Sequence, residues 1–410
     1  REKMKLITAD YTYTPHGFKK NLAIVYDKKI RTIDTLENLK KKYPDADIGY
    51  SGANAILYPG FINTHVHLEF SANTTALQYG SFRAWLDSVI EKRDALLQAC
   101  DNTLMQQKTE EMLTSGVTTF GAVSSFGAEL EICTRIPQRV VLFNELIGSN
   151  AAYADALYHD FLERIQAVEN CDREARITPA IAIHSPYSVQ PVILHKAVQL
   201  AKQENYPLSA HFLESQTERE WLESGAGHFQ TFFKKYFNTS TPVTNIEAFM
   251  HAFDTYPTHF IHCVQAREEE LDSLADKGHT IAHCPRSNRL LGCGRLAIEK
   301  LRDLQMPFTV ATDGLSSNWS LNIFDELRAA LMMHHGEPLQ KLSGEFIKSI
   351  TSDAAKILGL NVGSIEEGKE ADFTVVTLPD APNSEEDIAL QTILHTQQAS
   401  EVYIGGEKII

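Results

Sequence analysis

The sequence predicts an α/β protein, a (β/α)8 barrel of the TIM type with a small β-sandwich domain built from both chain ends. Three observations predict it. From about residue 59 to about residue 360, short apolar strand-like runs alternate with helical patterns, and eight such units fit into roughly 300 residues. Most of the runs end in a polar residue of one kind, His or Asp, as barrel enzymes require at the C-terminal ends of their strands. The flanking stretches, 1–58 and 361–410, read instead as strands and turns, which places the two chain ends near each other.

In the opening stretch the strands are Lys5 to Ala9, Asn21 to Tyr26, Ile30 to Ile33 and Asn54 to Tyr58, the last closed by Pro59-Gly60. The barrel candidates follow in order: Gly60 to Asn63, Gly116 to Phe120, Arg139 to Phe143, Ile177 to Ile183, Leu208 to Ala210, Phe260-Ile261, Thr280 to Ala282 and Phe308 to Ala311. Apolar residues at helical spacing mark Pro191 to Gln203 and Ile323 to Met333 between or after them. Ala371 to Val376 and Glu401 to Lys408 complete the β domain. A doubly wound open sheet is the second choice, and it lacks the glycine-rich phosphate fingerprint after its first strand. No low-complexity segment or short repeat is present.

Composition excludes several classes of function. With 38 Lys+Arg against 53 Asp+Glu, the net charge of −15 argues against a nucleic-acid partner. No run of eighteen apolar residues suggests a membrane span. The charged opening, Arg1 to Asp10, lacks a signal-type apolar core. Six scattered cysteines without a CxxC pair fit a reducing cytoplasm better than a disulfide framework or a thiolate zinc site.

The strand ends carry the chemistry. The first run ends in His65-Val66-His67, and residues two apart on a strand face one side, so both imidazoles can meet one ion. The fourth ends at His184, the fifth at His211, the sixth at His262, the seventh at His283 and the eighth at Asp313. Six of eight strands thus deliver His or Asp to one face. The remaining histidines (His16, His159, His195, His228, His251, His259, His279, His334, His335 and His395) fall in helical or loop contexts and read as surface or packing residues.

In these motifs the chain resembles the amidohydrolase superfamily, in particular its mononuclear zinc branch of nucleoside and triazine deaminases and chlorohydrolases. The resemblance spans nearly the whole sequence. It rests on Pro59 to His67, His184-Ser185-Pro186-Tyr187, His211-Phe212-Leu213-Glu214, Ile261 to Val264, His283 to Asn288, Thr312 to Asn318 and the closing Gly368 to Phe373. Within the branch, the wording is most similar to the aminodeoxyfutalosine deaminases of the alternative menaquinone route. Carried over by position, the resemblance implies His65, His67, His211 and Asp313 as metal ligands. Three neutral imidazoles and a carboxylate suit Zn²⁺ with a place left for water, and Fe²⁺ accepts the same set. A two-metal relative would need a bridging lysine at the end of strand three or four, and Arg139 to Leu146 and Ile177 to Tyr187 contain none.

The same resemblance implies roles. A zinc ion lowers the pKa of its water toward about 7. Asp313 touches the metal and accepts the water proton. Glu214, three residues past His211, protonates a ring nitrogen and relays a proton to departing ammonia, a transfer that contributes about 10²–10⁴-fold. His262 hydrogen-bonds the attacking water or the tetrahedral centre, His184 binds substrate, and His283 with Ser287 and Asn288 shapes the site and fixes the following loop. The expected reaction is hydrolytic deamination of an adenine-type ring, with a purine nucleoside as small-molecule partner and a homodimer as the expected assembly.

Specificity depends on the loops Leu68 to Leu96 and Asn144 to Tyr158. Phe82, Trp85 and Val89, spaced three and four apart, read first as the apolar side of a helix, and the two aromatics Phe82 and Trp85 read second as a purine stack. Asp94 or Glu91 is available for ribose hydroxyls. Aminodeoxyfutalosine adds a carboxyphenyl group, for which Arg83, Lys92 and Arg93 are equal candidates.

Overall fold

The computed structural model describes residues 4–172 and 176–410, so Arg1 to Lys3 of the charged opening lie outside the described residues. Among the described residues, eight parallel strands stand side by side in chain order: Phe61–Val66, Val117–Ser124, Arg139–Leu146, Ile177–Ile183, Leu208–Phe212, His259–His262, Thr280–His283 and Phe308–Val310. Each of the eight predicted runs lies on one of them. The sheet closes on itself where the backbone N–H of Asp313 donates to the carbonyl of His65 at 3.1 Å. Below that bond, the hydroxyls of Thr64 and Thr309 meet at 2.7 Å inside the barrel.

Strand alternation assigns the two sides of the wall. Leu208, Ala210 and Phe212 belong to the apolar layer under the outer helices, where Phe212 stacks on Phe249. Ser209 and His211 therefore face inward. The second strand itself depends on close backbone approach to the first: a Cβ on Gly121 would lie 2.4 Å from the carbonyl oxygen of Thr64. The outer helices follow local rules. Pro191–Glu204 starts with proline in its first turn, buries Ile193, Leu194, Ala197, Val198 and Ala201 on one face, and ends at Asn205 in the left-handed region.

The terminal strands form two sheets. One contains Ile30–Thr35, Leu22–Tyr26, Lys5–Thr8 and Asp47–Tyr50. The other joins both chain ends in the order Glu407–Lys408, Glu401–Ile404, Phe373–Thr377, Ala55–Pro59, Tyr11–Thr14 and Gly17–Lys20. Ala55 and Leu57 pack with Ile7, Ile24 and Phe373 between the sheets. Ile56 and Tyr58 pack into the barrel's apolar layer instead. This sheet is buried on both faces, which explains its unbroken apolar strand. Lys5 reaches the carbonyl of Gly406 at 2.9 Å, so the chain ends meet.

One histidine departs from its expected context. His259 is not in a helix or loop but opens the sixth strand, buried in the barrel beside Thr280, Thr309 and Thr64. Its neighbours are hydroxyls, and burial pushes its pKa down to about 3. No helix among the described residues is long and apolar enough to cross a membrane.

Candidate active site

The C-terminal ends of the first, fifth, sixth and eighth strands converge. The ligand atoms of His65, His67 and His211 lie within 4.8 Å of one another, and those of His65, His262 and Asp313 do the same. His67 Nε2 and His211 Nε2 face each other at 3.3 Å. Asp313 Oδ1 sits 3.4 Å from His65 Nε2 and 3.5 Å from His67 Nε2. Gly314 lets the eighth-strand loop pass this close, because a Cβ there would lie 2.7 Å from the Cβ of His67.

The hydrogen bonds fix protonation. His211 Nδ1 lies 2.6 Å from the carbonyl oxygen of His184, which only accepts, so Nδ1 carries the proton and Nε2 presents a lone pair. Burial, then the neighbouring His65, holds His211 down near a pKa of about 4 and His67 well below the usual imidazole value. Burial alone would raise Asp313. The His65 ring 3.4 Å away, with His67 and His262 near it, outweighs burial and keeps the carboxyl well below its usual range. The result is neutral His67 and His211 imidazoles, the His65 ring and a carboxylate aimed at one point. His65 Nε2 is buried there without a hydrogen-bond partner. Such a donor set fits a divalent metal such as zinc.

Glu214 lies just beyond His211, with Oε1 3.5 Å from His262 Nε2. Burial, with Asp313 and Glu218 nearby, raises its pKa well above the usual carboxyl value and favours the protonated acid. His262 is turned toward it by its backbone. Strand alternation would send His262 outward beside Phe260, but its φ of 78° places it in the left-handed region. Leu213, Cys263 and Asp313 also have positive φ, so the left-handed backbone clusters at these strand ends. Asn288 Nδ2 lies 3.1 Å from His262 Nδ1, and Ser287 donates to Asp313 Oδ2 at 2.9 Å.

His184 lies one ring from His211, with its centroid 5.6 Å away and its Nδ1 against the Ser188 hydroxyl at 2.5 Å. His283 is the exception among the strand-end histidines. It continues the outward alternation of Ile281 and meets His334 Nε2 at 2.9 Å on the helix side of the wall. Its neighbours Ser287 and Asn288 reach the site, and the His283 ring does not.

Sequence reasoning missed two groups of carboxylates. Glu218, four residues after Glu214, accepts the backbone N–H groups of Leu213 and Glu214, each at 2.9 Å, and so holds the segment that carries the acid. Its signal was a helix starting at the capping Ser215. Glu69, Glu129 and Glu145 are buried beside Ser124 and Ser125 after the first three strands. Glu145, at the end of the third strand, was the legible member. Of the aromatic residues considered for purine stacking, Phe82 is buried in the helix Phe82–Ala99, beside Val89 on its apolar side. Trp85 packs with them and donates its indole N–H to the carbonyl of Ser316 at 2.8 Å.

A profile described as the amidohydrolase family matches residues 56–409. The chain belongs to the amidohydrolase family. A protein of Nitratiruptor named aminodeoxyfutalosine deaminase is 44% identical over 99% of both chains. A Helicobacter pylori protein named adenosine deaminase is 35% identical over 94% of each. The crystal structure of Helicobacter pylori aminofutalosine deaminase with methylthio-coformycin superposes with a TM-score of 0.94 at 34% identity, covering 99% of this chain and all of that one. The amidohydrolase is a hydrolytic deaminase with the barrel of its family.

Proposed function

We propose that this amidohydrolase removes the 6-amino group of 6-amino-6-deoxyfutalosine, releasing ammonia and futalosine, in the futalosine route to menaquinone in the cytoplasm. The observation that carries the chemistry is a buried Glu214 3.5 Å from His262, its pKa raised by burial, beside the imidazoles of His65, His67 and His211 and the Asp313 carboxylate. The full-length similarity to the Nitratiruptor protein supports the substrate.

His65, His67, His211 and Asp313 hold one zinc ion in this reading, with His262 just outside the set. The ion supplies Lewis-acid activation of water at neutral pH. Everything else falls to the chain. Asp313 accepts the proton of the water. Glu214 donates a proton to a ring nitrogen, which makes the ring carbon electrophilic, then takes the water's second proton from the adduct's hydroxyl and passes it to the amine as it leaves, and the proton on Asp313 restores Glu214. His262 keeps the adduct's oxygen hydrogen-bonded, and His184 binds the purine. Water is added and ammonia lost, so atoms balance without a redox step.

Ammonia release from a panel of adenine nucleosides tests this reading, alongside metal content and a chelator-treated sample. Preference for aminodeoxyfutalosine, about one zinc per chain, and loss of turnover with the metal are the expected results. The Helicobacter relative's name favours a second reading, deamination of adenosine itself. Turnover confined to adenosine, methylthioadenosine, S-adenosylhomocysteine, guanine or a chlorotriazine would overturn the pathway assignment and leave the site chemistry standing.

A further inference from the structure

The segment between the metal ligand His211 and the acid Glu214 has a backbone that leucine resists. Leu213 is fully buried with a φ of 47°, in the left-handed region that residues with a Cβ seldom adopt. Such a residue persists only where its surroundings hold it. On the carbonyl side, Phe212 and Leu213 accept the backbone N–H groups of Cys263 and Gln265, each at 2.9 Å. On the N–H side the hold is a single side chain. Glu218 Oε1 accepts the N–H of Leu213, and Oε2 accepts that of Glu214, each at 2.9 Å.

This arrangement exceeds what the helix needs. Glu218 is the third residue of the helix Gln216–Ser224, and its own N–H donates to the capping Ser215 at 3.1 Å. A capping box requires a glutamate in that place only to reach back to the cap N–H. Here the carboxylate reaches further, to consecutive N–H groups around a left-handed residue, and such groups form an anion-binding nest. Glu218 is buried, which pushes its pKa up to about 7. The N–H groups of Leu213 and Glu214, then Arg219, then the Ser215 N–H oppose that rise. Above this pH the nest holds a carboxylate. Both of its oxygens face backbone, so Glu218 acts through Glu214 and not on the substrate.

We infer that Glu218 is the positioning residue of the acid: its carboxylate fills an anion nest made by the Leu213 and Glu214 N–H groups and so sets where the Glu214 carboxyl stands. The inference rests on the deaminase reading of the site. It gives the nest a ligand class, a small planar carboxylate, which this chain supplies from its own side chain. The link to the chemistry is short. The Glu214 N–H is one arm of the nest, and the Glu214 carboxyl lies 3.5 Å from His262 Nε2. A neutral amide at position 218 does not replace the carboxylate, because its NH2 faces one of the two N–H donors. Removing the side chain leaves the two donors unpaired around a space of carboxylate size.

The test follows ammonia release by the metal-loaded enzyme, above neutral pH, from the adenine nucleoside that the parent turns over fastest, with and without sodium formate. Glu218→Ala lowers kcat by about 10²-fold, the cost of displacing a reacting group by about 1 Å, and formate raises it again by about 10-fold. KM stays near the parent value, and formamide, the neutral counterpart of formate, does not rescue. Glu218→Gln keeps the side chain's volume and folds without the cavity; it is as slow as Glu218→Ala and does not respond to formate. The double variant Glu214→Gln/Glu218→Ala gains nothing from formate, since the anion acts through Glu214. Formate also raises the unfolding midpoint of Glu218→Ala and leaves that of the parent unchanged. Either single variant with kcat within about 3-fold of the parent, a loss in Glu218→Ala that formate does not reverse, or formate rescue of the double variant overturns the inference while the deaminase reading stands. A parent enzyme inactive on every adenine nucleoside overturns both.

Discussion

Glu214→Gln lowers kcat on the adenine-type substrate by about 10²- to 10⁴-fold, because glutamine keeps the shape and cannot deliver the proton. Zinc content and unfolding midpoint stay at parent values, since the substitution removes no metal ligand and Glu218 still holds the backbone of this segment. The pH profile supplies the second readout. Burial, Asp313 and Glu218 raise the Glu214 pKa, so the proton needed for donation is present below that raised pKa and lost as pH rises through it. The parent enzyme therefore has a falling alkaline limb that the residual activity of Glu214→Gln lacks. Stopped-flow or steady-state ammonia assays across pH check both points. Turnover within about 10-fold of the parent excludes Glu214 as the proton donor.

Arg286→Met destabilises the fold by about 3–5 kcal/mol, the cost of leaving a buried charge without its partner. Arg286 and Glu326 are both fully buried, with Nε paired to Oε2 at 2.5 Å and the backbone N–H of Arg286 donating to Oε1 at 2.8 Å. Ser320 accepts from the guanidinium at 2.9 Å, and Trp319 lies under it at 4.6 Å. Asn318 donates to the same carboxylate at 3.0 Å. The effect reaches the chemistry because the short helix Pro285–Leu290 also carries Ser287 and Asn288, which hold Asp313 and His262. Urea unfolding measures the loss, and the double variant Arg286→Met/Glu326→Leu is expected to recover most of it. A single variant within about 1 kcal/mol of the parent, or a double variant no better than the single, removes this ion pair as the brace of the site.

Much of this was legible in the chain because barrel architecture repeats a local rule. A short apolar strand ending in His or Asp can be read without its neighbours, and seven polar residues at such strand ends (His65, His67, His184, His211, His262, His283 and Asp313) are legible that way. The HxH spacing also fixed that two imidazoles share a side. Alternation fails at one strand. By period two, His262 and His283 occupy equivalent outward positions, yet one enters the site and the other does not. The difference is a left-handed backbone at His262, against a regular continuation at His283 toward a histidine 51 residues away.

The sequence by itself determined the fold class, the family and the histidines and aspartate at the strand ends, because each depends on patterns a few residues long. Tertiary structure alone decided which nitrogen of His211 is free and that burial raises the Glu214 pKa. It also decided that Glu326, 40 residues downstream, braces Arg286 and with it the helix behind Asp313. Those features depend on burial and on hydrogen bonds between segments remote in sequence. Neither follows from a local pattern, because desolvation and partner geometry exist only once the chain has closed on itself.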